Sequence, residues 1–260
     1  MVNIKEKYGV NAINYFIFKF DDYYSIKMNP DYFIIIGGGS SINTGLKLDL
    51  KNYLINKNVI AINYAFSHFP HTFMTYVDLD FYLGRFGYPN ISDKLKKEPL
   101  IIGLDRNIKH DSFDNTILLK GNTEFHSKPQ EGFYNPILCG LWTLHIAMWL
   151  LDYKGYIYLL GYDFCKGIDS THYYEDIKHR GINFLQFYNT HEADELFKPF
   201  QNKSKIYNVI GNPESKLTLF EKITYVDFVQ HIVNLPDINH EEVRKQIKQK
   251  IHDHFFISNS

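Results

Sequence analysis

Cysteine is nearly absent from this chain: Cys139 and Cys165 are the only two among 260 residues. Two cysteines make no disulfide framework, and their separation is not that of a metal site, so a core-stabilised protein of a reducing compartment is expected. Net charge is equally scarce. The formal balance is −1, and lysines and acids interleave along the chain without the basic stripe that neutralises nucleic-acid phosphates, so nucleic acid is not an expected partner. No apolar run approaches the roughly 20 residues that span a bilayer. The opening MVNIKEKYGV lacks the apolar core of a secretory signal, which makes the cytoplasm the expected location. Internal repeats, low-complexity tracts and flexible linkers are missing as well.

Aromatic residues, by contrast, are abundant, with 20 Tyr and 21 Phe. The excess of Asn, Lys, Ile, Tyr and Phe over Arg and Ala is the composition of an AT-rich genome, such as a low-GC bacterium, its phage or a large virus. The length suits one main domain with a substantial core. We divide the chain into an aromatic N-terminal arm (1–30), a nucleotide-binding domain (31–235) and a C-terminal helix (236–260). The arm and the charged helix are each compatible with homo-oligomer formation or with packing on their own domain.

The segment DYFIIIGGGSS (Asp31 to Ser41) is an apolar run that ends in three glycines and two hydroxyls, followed by a helical pattern over about 43–56. A second apolar run, Val59 to Asn63, closes in an asparagine. This is the pattern of a strand, a phosphate-compatible loop, a helix and a second strand in an α/β domain. Further strands are predicted near 73–79, at Pro99–Leu104, at Thr116–Lys120, at Tyr156–Leu160 and at Lys205–Ile210, with 121–138 as a long loop. Helices are predicted for about 12 residues from Gly140, near 192–203, near 225–233 and near 239–254. The helix from Gly140 is apolar on nearly every side (Leu141, Trp142, Leu144, Ile146, Met148, Trp149), which marks it as buried between layers. The fold class is therefore α/β, a Rossmann-like, mostly parallel sheet flanked by helices with a C-terminal helical tail.

GGGSS is neither G-x-G-x-x-G followed by an acid nor a Walker A loop, since no Gly-Lys-Ser/Thr follows. The glycines either permit a tight strand-to-helix turn or present N–H groups, with the Ser40 and Ser41 hydroxyls, to a phosphate. Asp78 and Asp80 form D-x-D at a strand end. Strand alternation puts both carboxylates on one face, suited to Mg²⁺ or Mn²⁺ or simply to solvent. His172, between Thr171 and Tyr173, is the first choice for a general base, able to take a proton from an attacking hydroxyl. Tyr162, Tyr173 and Tyr174 are candidates for stacking on a base or sugar. His145 lies inside the apolar helix and reads as a hydrogen-bonded core histidine.

The ordered set GGGSS, Ala61 to Asn63, YVDLD, CGLWTLHIAMWLLDYKGYIYLLGYDF, THYY and IYNVIGNPESKLTLF resembles two related groups over roughly residues 32 to 225. One is the bacterial family 42 sialyltransferases and the other is the MptE-like (DUF115) family, which includes 6-hydroxymethylpterin diphosphokinases. The resemblance implies a glycosyltransferase-A-like variant of the Rossmann sheet. It implies a nucleotide-sugar donor, such as a CMP-sugar, and a carbohydrate or other hydroxyl acceptor. It places the nucleotide on Gly38, Gly39, Ser40, Asn63, Cys139, Gly140, Gly161, Asp163 and Phe164 and brings Asp80 to the catalytic region, but it aligns no histidine, so His172 as catalytic base stays a first choice from its own neighbours. His179 and His191 remain alternatives for the base. Asp80 stands where the sialyltransferases carry a neutral asparagine; its charge beside an anionic donor calls for a metal, with Asp78 and Asp80 as ligands. A diphosphokinase using ATP and Mg²⁺ is the alternative activity, and a non-catalytic phage or cell-surface assembly protein is a third.

Overall fold

The computed structural model describes residues 31–78, 81, 91–105, 114–130, 132–135, 138–164, 173, 193–211 and 215–257. Among these, nine strands form one sheet: β1 (Tyr32–Ile36), β2 (Val59–Ile62), β3 (Phe73–Tyr76), β4 (Ile101–Asp105), β5 (Thr116–Asn122), β6 (Phe133–Tyr134), β7 (Tyr156–Leu160), β8 (Lys205–Ile210) and β9 (Glu221–Thr224). Their spatial order is β6-β5-β4-β3-β2-β1-β7-β8-β9, and every pair is parallel. The chain builds the sheet outward from β1 in one direction, then returns to β1's other edge with β7 and builds the other way. β1 and β7 therefore flank the topological switch point.

Strand alternation sorts the central side chains into two layers. Phe33, Ile35, Ile60, Ile62, Ile157 and Leu159 face one core with helix α4 (Cys139–Leu150) and the C-terminal helix α7 (His240–His252). Tyr32, Ile34, Ile36, Val59, Ala61, Tyr158 and Leu160 face the other, with α1 (Ile42–Lys47), α2 (Leu50–Tyr53) and α6 (Tyr225–Val233). Burial on both faces is why these strands read as unbroken apolar runs. Short helices α3 (Ile91–Leu95) and α5 (Ala193–Phe197) complete the set among the described residues. One helix in each layer is capped by a side chain. Thr224 and Asp227 form a capping box at α6, and Asn239 accepts the N–H groups of Glu241 and Glu242 at α7.

Several elements differ from the sequence pattern. The helix expected over about 43–56 is two short ones, because Asp49 takes a left-handed conformation (φ 62°) between them. The strand expected near 73–79 stops at Tyr76, which leaves Val77 and Asp78 beyond the sheet pairing. The expected loop 121–138 contributes pairing: β5 runs on to Asn122, and Phe133–Tyr134 adds beside Gly121 and Asn122 as an edge strand. The helix near 192–203 is α5 followed by a 3-10 turn at Lys198–Phe200, where Pro199 sits. The N-terminal arm lies outside the described residues. The C-terminal helix sends Val243, Ile247 and Ile251 into the same core as α4.

His145 is a fully buried core histidine. Its Nδ1 accepts the Tyr134 N–H at 2.7 Å, so Nε2 carries the proton toward the Tyr153 hydroxyl 2.9 Å away, and the ring stacks on Phe125. Burial pushes its pKa down to about 3. The folded protein thus keeps it neutral at pH values where the unfolded chain, near 6.5, takes up a proton. The contribution is fully present above pH 6.5 and is lost as pH falls toward 3, with a slope approaching about 1.4 kcal/mol per pH unit. Urea denaturation at pH 7 and pH 5 measures this slope. His145→Gln is expected to flatten it; an unchanged slope in that variant would assign the pH dependence to other groups.

Candidate functional site

At the carboxyl end of β1 the chain enters Gly37, Gly38, Gly39, Ser40 and Ser41, and at the carboxyl end of β7 it enters Gly161, Tyr162, Asp163 and Phe164. The two exits lie side by side because β1 and β7 are hydrogen-bonded neighbours in register, Ile36 opposite Leu160. They are tied together directly. Gly37 N–H donates to Leu160 O at 2.8 Å, Gly39 N–H to Gly161 O at 2.9 Å, and Ser41 N–H to Asp163 Oδ2 at 2.8 Å. The approach is so close at Gly39 that a β-carbon there would stand 2.6 Å from Asp163 Oδ2 and 2.7 Å from Gly161 O. Gly161 itself holds φ +71°, a left-handed conformation that favours glycine.

These ties leave the N–H groups of Gly38 and Ser40 without a hydrogen-bond partner among the described residues. They are donors of the kind a phosphate oxygen accepts. Gly38, Gly39 and Ser40 are all half-buried, and the Gly38 carbonyl accepts the N–H of Tyr173 at 3.1 Å. Tyr173 packs its ring edge against His68 and Phe69, so one point of the loop after β7 crosses to the segment after β2. Asn63 occupies the first position past β2 with φ 47°, and its Oδ1 is buried without a partner among the described residues.

Helix α4 brings its N-terminus to the same edge. Tyr162 donates its hydroxyl hydrogen to Gly140 O at 3.3 Å, and a β-carbon at Gly140 would stand 2.9 Å from the Tyr162 ring. No side chain caps this end, and the first N–H groups of a helix have no intrahelical acceptor, so those of Cys139 and Gly140 are without an acceptor among the described residues. The Cys139 thiol sits 3.9 Å from Thr143 Oγ1, which in turn bonds Thr75 Oγ1 of β3 at 2.8 Å. Burial pushes the thiol pKa up to about 12, and the nearby charge of Asp78 adds to the rise, so Cys139 is no thiolate nucleophile. Tyr162 is buried between Phe164 and Phe197, which makes it wall packing and not a surface on which a base stacks.

Asp163 is 2 % exposed. Burial raises its pKa, and the Ser41 hydroxyl and N–H pull part of the way back. Its Oδ1, the Ser41 hydroxyl and the Tyr225 hydroxyl are buried side by side, close enough for Ser41 to lower the pKa of both neighbours, though none of the three completes a well-aligned hydrogen bond among the described residues. Asp163 O also accepts the Lys216 N–H at 3.0 Å, which brings in the connection after β8. There Asn208 Nδ2 donates to Ser215 Oγ at 3.3 Å and to Leu217 O at 3.0 Å, and Gly211 abuts Thr44 and the Ser41 carbonyl.

The structure thus gathers Gly38, Gly39, Ser40, Asn63, Cys139, Gly140, Gly161, Asp163 and Phe164 at the carboxyl-terminal side of the sheet. Asp80, His172, His179, His191 and Tyr174 lie outside the described residues. Asp78 is exposed two residues past β3. Among the described residues no group of three or more His, Cys, Asp or Glu gathers as a metal site. The open groove of about 630 Å³ lined by Asp31, Tyr156, Lys203 and Lys205 belongs to the opposite, amino-terminal ends of β7 and β8. Sequence reasoning missed the clamp between Ser41 and Asp163, because 122 positions separate them. It also missed Tyr225 and His68, which carry no motif. No helix of the described residues is long and apolar enough to cross a membrane. In comparisons with protein-family models, curated proteins and solved structures, nothing matches the chain.

Proposed function

We propose that the chain binds a nucleotide in the crevice between β1 and β7 and uses a nucleotide sugar as donor for transfer to an acceptor hydroxyl. The observation that carries this reading is the convergence, at the switch point of an all-parallel sheet, of the glycine loop, Asn63 and the uncapped N-terminus of α4. Open parallel sheets bind ligands at this position. The N–H groups of Gly38, Ser40, Cys139 and Gly140 suit phosphate oxygens, and the Asn63 amide suits a base or ribose. The sugar chemistry rests on the sialyltransferase-like order of motifs. In it, donors at the loop and helix stabilise the departing phosphate, while a histidine base, His172 by first choice, takes the acceptor proton as its oxygen attacks the anomeric carbon.

Thermal unfolding with CMP, CDP, UDP, GDP and ATP, each with and without Mg²⁺ or Mn²⁺, tests the reading. A cytidine nucleotide at 100 times its dissociation constant is expected to add about 2.7 kcal/mol and raise the midpoint by several degrees without metal. Asn63→Ala is expected to remove that shift. An Mg²⁺-dependent response to ATP alone would move the assignment to a diphosphokinase. Indifference to every nucleotide would leave a non-catalytic assembly role in its place.

A further inference from the structure

The geometry points to Asp163 as a positioning residue, a buried carboxylate clamp that holds the glycine loop in its binding shape and does not itself touch the ligand. Its Oδ2 is committed to the Ser41 N–H at 2.8 Å, its own carbonyl to the Lys216 N–H at 3.0 Å, and its side chain is 2 % exposed. One residue therefore joins three connections, those after β1, β7 and β8, all at the crevice edge. The buried polar groups around it have the same address. Asp163 Oδ1, Ser41 Oγ and the Tyr225 hydroxyl form a buried polar knot at the start of α1, roofed by α6.

The consequence for binding follows from which donors remain. By accepting the Ser41 N–H, Asp163 removes that donor from the set a phosphate can use and turns the loop so that the Gly38 and Ser40 N–H groups are left over. A carboxylate facing the ligand would repel a phosphate; one spent on the loop's own backbone, out of solvent, orders the loop instead. Gly39 has no side chain for the matching reason, since its β-carbon position is 2.6 Å from the same Oδ2. What the clamp needs is an acceptor of this size and not a charge, so an amide can replace it. The amide oxygen of Asn would accept the Ser41 N–H, and its NH₂ would face the Ser41 and Tyr225 hydroxyls, whose oxygens can accept.

The test compares Asp163→Asn with Asp163→Ala by amide hydrogen exchange, which needs no ligand, and by titration with CMP, the arm that rests on the nucleotide reading. D163A is expected to speed exchange at Ser41 and Gly39 by about tenfold or more, as the loss of a buried charge-assisted hydrogen bond implies, and to weaken CMP binding in parallel. D163N is expected to stay within about threefold of the parent in both. Loss of CMP binding in D163N with loop protection intact would make the carboxylate a ligand or metal contact and overturn the proposal. Unchanged exchange in D163A would overturn it as well. If D163A does not fold, the D163N result decides alone. If the parent chain binds no CMP, the nucleotide reading fails, and the exchange arm still tests the clamp.

Discussion

Gly39→Val is expected to lower nucleotide affinity at least about a hundredfold and to cost about 1–3 kcal/mol of stability, the usual range for overpacking a tight site. The neighbours of the new side chain explain why the loop cannot relax cheaply. A β-carbon at 39 meets Asp163 Oδ2 at 2.6 Å, Gly161 O at 2.7 Å and Gly161 C at 2.8 Å, and two of these three atoms are backbone of a hydrogen-bonded strand exit. To make room, the loop must part from β7, which breaks the Gly39 to Gly161 bond and pulls Ser41 away from Asp163. The donors left for a phosphate move with it. Binding and stability respond on different scales, because α1, α6 and the rest of the sheet keep their packing. Isothermal titration beside urea denaturation separates the two, and parent-like affinity in a folded G39V chain would place the nucleotide away from this loop.

Trp142→Ala carries the largest expected loss of stability, about 3–5 kcal/mol, as for other fully buried aromatic truncations. Trp142 is the largest completely buried side chain among the described residues and belongs to α4, which packs across β1, β2 and β3. A cavity of indole size in the central layer cannot collapse without moving the helix, and with it Cys139 and Gly140 at the crevice. The thermal midpoint is expected to fall by on the order of 10 °C for a domain of this size. Trp142→Phe is expected to lose less than half as much, because it refills most of the volume and also removes an indole N–H that is buried without a partner among the described residues. Equal losses in the two variants would contradict the cavity account.

The readable elements and the unreadable ones differ in where their stability comes from. Tyr156–Leu160 and Lys205–Ile210 have the same bounds in the pattern and in the fold. Each is an apolar run covered on both faces, so its burial is written residue by residue. Phe133–Tyr134 is two residues long and, among the described residues, pairs with Gly121 and Asn122. No local pattern marks such an edge strand, and the tie between Tyr134 N–H and His145 helps fix it. The polar EKIT of Glu221–Thr224 is likewise a strand because Tyr207 to Ile210 offers it an open edge. The break at Asp49 is also a tertiary outcome, set where α1 packs Gly45 against Tyr225 and the chain must turn before Leu50.

The candidate site divides in the same way. The glycines after β1, Asn63 after β2, Gly140 at the start of α4 and Gly161 after β7 were legible because each ends or begins an apolar run, whereas Asp163 and Phe164 came only from the resemblance. Sequence by itself therefore determined the α/β class, the principal strands and the fact that small and polar residues collect at strand ends. Only the tertiary structure decided the order of the strands, which sets β7 beside β1 and so brings the Gly161 turn against the glycine loop, and the role of each group there. Hydrogen bonds and close contacts depend on distance in space, and the 122 residues between Ser41 and Asp163 carry no local trace of the 2.8 Å that joins them.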